Sequence, residues 1–183
     1  TELISEDNKK TNTVNLENIL INLKKAQKGS DLHRIFESLK YLGPNVLLKN
    51  LSEADQKNVS YLLEQKDLDL LNILQHGQSE WGFGLKTNAG GKLIQGQIDL
   101  WAELESEIHV LDYKTGSSFY SEKAFEQLAF YTAALYTMKM ISKNKKIIHS
   151  VVYPGEVLIK KLVFENYADF QKQLNPKIKE LFE

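Results

Sequence analysis

Gly96-Gln97-Ile98-Asp99-Leu100 and, eleven residues further on, Leu111-Asp112-Tyr113-Lys114-Thr115-Gly116 are the stretch whose reading decides the fold. Both segments read as parts of strands, over 92–103 and 107–113. With Glu105-Ser106 as the two-residue turn of a hairpin, Asp99 stands opposite Asp112 and Gln97 opposite Lys114. Side chains alternate along a strand, so Asp112 and Lys114 share a face, and Asp99 joins them there. A slip of two residues keeps that grouping, whereas a slip of one destroys it. Neither Glu nor Ser is a favoured residue for such a turn.

Two carboxylates directly opposed in a strand pair repel each other. A chain that keeps them needs counter-charge, of which Lys114 supplies part and a divalent cation the rest. Hard oxygen ligands and the absence of Cys favour magnesium or manganese over zinc. Such a cation beside a lysine suits attack on a phosphodiester, where negative charge builds on the phosphoryl oxygens. The same three residues also fit a salt-bridge cluster on an exposed sheet face, where ion pairs are common and individually weak.

Working outward from the hairpin, 81–85 precedes it as a strand, and 146–153 and 157–164 follow it. A long helix over 122–141 lies between the third and fourth strands, and a last helix over 167–182 carries Pro176, which predicts a kink or break there. Upstream, apolar residues at helical spacing mark helices over 14–27 and from Ser30 to Gly43-Pro44. A third helical stretch runs from Ser52 to about Gln75 and breaks near the Lys66–Asp69 charges, with Ser52 and Asp55 spaced as a capping box. The expectation is one α/β domain: a polar lead-in over 1–13, a helical block over 14–76, and a core over 77–183. That core is a mixed sheet of about five strands flanked by helices on both faces.

Composition narrows the classes. The 183 residues carry 23 Lys+Arg against 24 Asp+Glu and no Cys. Disulfides, thiol catalysis and Cys-ligated clusters are excluded. No apolar run approaches a membrane span, and the N-terminal residues lack a secretory profile, so no membrane partner and a cytoplasmic location are expected. Arg34 is the sole arginine, which leaves any grip on phosphate mainly to lysine.

GQIDL, DYKTG and then EQLAFYTAAL (126–135) resemble, in order and spacing, the nuclease module of the RecB/AddA group in the PD-(D/E)XK superfamily. GSDLHRIFE (29–37) is similar to that group's early helix. The resemblance spans 29–135 and implies a PD-(D/E)XK restriction-endonuclease-like core. It implies that Asp99 and Asp112 ligate a divalent ion, with the backbone carbonyl of Tyr113 and the side chain of His33 as further ligands. Lys114 is then the catalytic lysine, and Gln127 and Tyr131 line the site or hold the DNA backbone. The implied activity is exonuclease V-like hydrolysis of DNA, single-stranded or at duplex ends, leaving a 5′-phosphate. Mg²⁺ is the implied cofactor, with Mn²⁺ able to substitute and no iron–sulfur cluster. The role implied is double-strand-break repair and recombination, with a UvrD/Rep-like helicase motor on the same full-length chain or on a partner. No nucleotide-binding motif occurs here, and the chain lacks an initiator Met, so a fragment of a longer helicase–nuclease is expected. A non-catalytic DNA-binding or scaffolding module that kept the fold is the alternative.

Other candidates carry competing readings. Lys139, Lys143, Lys145 and Lys146 follow the helix that bears Gln127, and suit either phosphates or the negative end of the helix dipole. Glu37 fits a supporting partner of His33 or a solvated charge, and Glu80 a salt bridge before a ligand. His76, His109 and His149 fit no ligand spacing, and strand parity turns His109 away from the site. Gly90-Gly91-Lys92 lacks the remainder of a phosphate-binding loop and reads as a hairpin turn.

Overall fold

The computed structural model describes residues 32–87, 90–114 and 117–182, leaving aside the side chains of Leu32 and His33. The expected lead-in over 1–13 and helix over 14–27 lie outside the described residues. Five strands form one sheet in the order β1 (Gln78–Lys86), β2 (Leu93–Glu103), β3 (Glu107–Tyr113), β4 (Lys146–Tyr153), β5 (Leu158–Phe164). The first three make an antiparallel meander, β3 and β4 are parallel, and β5 returns antiparallel. The β2–β3 register runs from Leu100 opposite Leu111 to Glu103 opposite Ile108, and the Leu104 N–H donates to the Glu107 carbonyl at 2.8 Å. Glu105-Ser106 is therefore the turn. The parallel step from β3 to β4 needs a long crossover, supplied by the helix Ser121–Thr137.

Seven α-helices flank the sheet among the described residues: α1 (Leu32–Leu42), α2 (Pro44–Lys49), α3 (Glu53–Leu63), α4 (Leu70–His76), α5 (Ser121–Thr137), α6 (Tyr167–Gln173) and α7 (Pro176–Phe182). Their ends follow local chemistry. The Ser52 hydroxyl accepts from the Asp55 N–H to open α3, and Asp69 and Asn166 cap α4 and α6 in the same way. Pro176 does not kink a single helix; it opens α7, where its missing N–H costs nothing. The same property explains α2, which sequence reading treats as a stop. Gly43 takes φ 71° to end α1, and Pro44 starts the next helix at once.

Each face of the sheet buries its own core. On one face the helical block (α1–α4) packs Phe36, Leu62 and Ile73 against Leu100, Leu111, Tyr113 and Val152. On the other, Leu128, Tyr131 and Leu135 of α5, with Phe170 of α6, cover Ile98, Val110 and Val151. Gly77 is the seam between α4 and β1. A methyl group on its Cα would lie 2.6 Å from the carbonyl oxygens of both Ile73 and Trp101, so only glycine lets helix and sheet approach this closely. Among the described residues no helix is long and apolar enough to cross a membrane.

Candidate active site

The β2–β3 ladder ends at Leu100 opposite Leu111, so Asp99 and Asp112 occupy the first rung beyond it. There the Asp99 carboxylate accepts the Tyr113 backbone N–H at 2.8 Å, taking the place of a ladder bond. Asp112 is only 2% exposed and lies on the α5 side, like Ile108 and Val110 before it. Alternation slips along β2 near Asp99. Ile98 and Trp101 both join the α5-side core, while Leu100 joins the core beneath the helical block.

Lys114 follows β3 directly, and its backbone N–H donates to the Val152 carbonyl at 2.9 Å, extending the β3–β4 pairing by one residue. Two residues beyond Asp112, its side chain returns to the same face. The Lys114 ammonium lies 2.9 Å from Asp112 Oδ2 and donates to Oδ1 at 3.1 Å and to Gln127 Oε1 at 3.0 Å. The Gln127 amide in turn donates to the Tyr131 hydroxyl, one helical turn on. Four predicted residues from two elements thus form one hydrogen-bonded chain, Asp112–Lys114–Gln127–Tyr131.

Charge in this chain reaches its neighbours. Burial pushes the Tyr131 phenol up, its Gln127 hydrogen bond opposes this, and the negative charges of Asp112 and Asp99 raise it further. Tyr153 is raised by burial first and then by Asp112. Both phenols stay protonated donors at neutral pH. Beside the chain lies a cavity of about 280 Å³, lined by Lys114, Ser117, Tyr120, Lys123, Ala124, Gln127 and Tyr153.

On the opposite face, the Tyr113 ring stacks on Phe36 of α1 with centroids 4.7 Å apart and planes 1° from parallel. Burial, Asp99 and Glu80, in that order, push the Tyr113 phenol far up. Glu80 faces Asp99 across the β1–β2 register, between the pairs Ser79–Leu100 and Trp81–Ile98, with φ 48°. Its carboxylate accepts from the Gln97 amide. Gln97 therefore turns toward β1, and the expected Gln97–Lys114 cross-strand pair does not form, because β2 has left β3 by that point.

The His33 side chain lies outside the described residues; its helix is seated against β3 through Phe36, one turn later. Lys139 and Lys143 are not brought to the Asp112–Lys114 chain. From Gln127 to the end of α5 at Thr137 is ~15 Å along the axis, and both lysines come after that end. Lys143 sits over the Tyr167 ring at 4.7 Å, and Lys145 pairs with Glu103 at 2.9 Å. His109 does turn away from the site, next to Glu107 at 3.2 Å. Tyr153, Lys123 and Tyr120 line the cavity without having been anticipated. Tyr153 follows from the β3–β4 register, which puts Val151 beside Asp112 and Tyr153 one step further on that face.

The donor set suits a hard divalent cation. Asp99 and Asp112 present carboxylate oxygens on adjacent strands, and magnesium characteristically takes one or two carboxylates and keeps several waters. Among the described residues no group of three or more His, Asp or Glu side chains surrounds one point. The two aspartates would hold the ion, with Lys114 beside it.

A model of the PD-(D/E)XK nuclease superfamily matches residues 14–174. A solved structure described as the crystal structure of SSO0001 aligns with 90% of this chain and 83% of its own, at 13% identity and a TM-score of 0.36. No curated protein matches the chain. With most of its length matched to that family model, the chain belongs to the PD-(D/E)XK nuclease superfamily.

Proposed function

We propose that this domain hydrolyses phosphodiester bonds in DNA, with Mg²⁺ as cofactor and Mn²⁺ able to replace it. The observation that carries the reading is the Lys114 ammonium, held within 3.1 Å of both Asp112 oxygens and of Gln127 Oε1. Asp99 and Asp112 would hold the divalent ion, which when bound would supply charge for a phosphoryl oxygen and acidify water. Lys114 then orients the attacking water and donates to the negative charge that develops as phosphorus is attacked. Gln127 fixes the lysine, and Tyr131 fixes Gln127. His33 from α1 completes the ligand set in this proposal, together with the Tyr113 carbonyl.

Further, we read the domain as an exonuclease V-like module of a helicase–nuclease acting in double-strand-break repair and recombination, in the cytoplasm. The order GQIDL, DYKTG, EQLAFYTAAL supports this, as does the attachment of Gln127 to Lys114. The test is cleavage of linear single- and double-stranded DNA with Mg²⁺ or Mn²⁺. EDTA and Asp112→Ala are each expected to abolish it, and full activity under either would falsify the assignment. Co-purification with an ATP-driven helicase tests the partner.

A further inference from the structure

Phe119 and Tyr120 carry the two most exposed large hydrophobic side chains among the described residues, 82% and 71% accessible. Their rings meet edge to face, with centroids 5.1 Å apart. They sit on a short 3₁₀ turn, Ser118–Tyr120, between Lys114 and the start of α5. The turn is tied down on several sides. The Ser118 N–H donates to Glu156 Oε1 at 3.0 Å, and the Lys160 ammonium donates to the Ser118 carbonyl at 2.7 Å and to Ser121 Oγ at 3.1 Å. Ser117 Oγ accepts the Phe119 N–H at 3.3 Å. These contacts hold the backbone that displays the two rings in water.

The surroundings identify what covers them. Tyr120 lines the same cavity as Lys114 and Lys123, so an apolar surface adjoins two cationic side chains. A strand of nucleic acid has this combination, a π face on every base and a negative charge on every phosphate. In a duplex those faces are stacked on one another and hidden. We propose that Phe119 and Tyr120 form a stacking platform for unpaired bases, with an adjoining phosphate held by Lys123. The preferred substrate is then a DNA single strand or a frayed end. The identification of the strand as DNA rests on the nuclease reading above.

The test is equilibrium binding in EDTA, so that cleavage does not intrude, of a fluorescent oligothymidylate and a blunt duplex of equal length. The double variant Phe119→Ala/Tyr120→Ala is expected to bind the single strand about 10-fold or more weakly, and the duplex within about 2-fold of wild type. Phe119→Trp/Tyr120→Phe, which keeps both rings, should bind like wild type. An independent arm leaves the protein unchanged: an oligonucleotide of abasic residues keeps the phosphates and should lose affinity to the same degree. Unchanged single-strand affinity in the alanine variant, or equal affinity for the abasic strand, overturns the platform. The two readings fail separately. A wild-type protein that shows these binding differences but never cleaves with Mg²⁺ or Mn²⁺ overturns the nuclease and keeps the platform. Metal-dependent cleavage with an unaffected alanine variant does the reverse.

Discussion

At the scale of single residues, Lys114 is the junction of the site, since its ammonium engages Asp112 and Gln127 together. An ammonium aimed at the place where negative charge develops acts on rate more than on binding. Lys114→Ala is expected to slow single-turnover cleavage by about 10²–10³-fold, with DNA affinity in EDTA within a few-fold of wild type. Gln127→Ala, which leaves the Asp112 contact in place, should cost about 10-fold on the same scale. Equal losses for the two would mean that Gln127 does more than position the lysine. These residues were legible to different degrees for physical reasons. Asp112 and Lys114 are two apart on one strand, so parity alone unites them. Asp99 required the hairpin register, and the observed ladder stops one rung short of it, where Asp99 accepts the Tyr113 N–H instead. The partnership of Gln97 with Glu80 was hidden, because it depends on where β2 parts from β3 and on a residue at φ 48°.

At the scale of elements, strands and caps were the most legible. Alternation located all five strands to within a few residues, and the Ser52 cap forms as its spacing implies. Boundaries set by tertiary contacts were not. The long helix stops at Thr137 rather than at 141, and Lys139 takes φ 58° as the chain turns toward β4. The seam at Gly77 is similarly invisible in sequence, because its need for glycine comes from two carbonyl oxygens far apart along the chain. Gly77→Ala is expected to destabilise by about 2–3 kcal/mol, lowering the melting temperature by roughly 5–10 °C. Gly82→Ala, whose added methyl meets nothing within 4 Å, should leave it nearly unchanged. Thermal melts followed by circular dichroism compare the two.

At the scale of the whole molecule, the α5-side core contains a histidine that burial keeps neutral. His149 is held at a pKa of about 3, with its Nε2 2.8 Å from Thr132 Oγ1 and rings of Phe164 and Phe170 around it. In the unfolded chain a histidine takes up a proton near pH 6.5. Between that value and about 3 the unfolded state therefore binds the extra proton, so this group's contribution is complete above pH 6.5 and falls as pH drops. From pH 7 to pH 5 the loss is about 2 kcal/mol. His149→Gln should reduce the pH 7-to-5 difference in unfolding free energy by that amount in urea titrations. An unchanged difference would place the acid sensitivity elsewhere. Near-neutral overall charge, 23 basic residues against 24 acidic, likewise conceals a local arrangement in which Lys114 and Lys123 line one cavity and Asp112 pairs with Lys114.

The stack of Phe36 on Tyr113 gives the helical block a mechanical role. Tyr113 stands between Asp112 and Lys114 on one strand, with its ring on the far side of the sheet. Neighbouring strand residues share a backbone and point to opposite faces, so the packing of the ring holds the strand that carries both flanking side chains. The sheet thus joins the buried stack on one face to the Asp112–Lys114 pair on the other. Packing in the helical block is thereby coupled to the placement of Asp112 and Lys114 across the sheet.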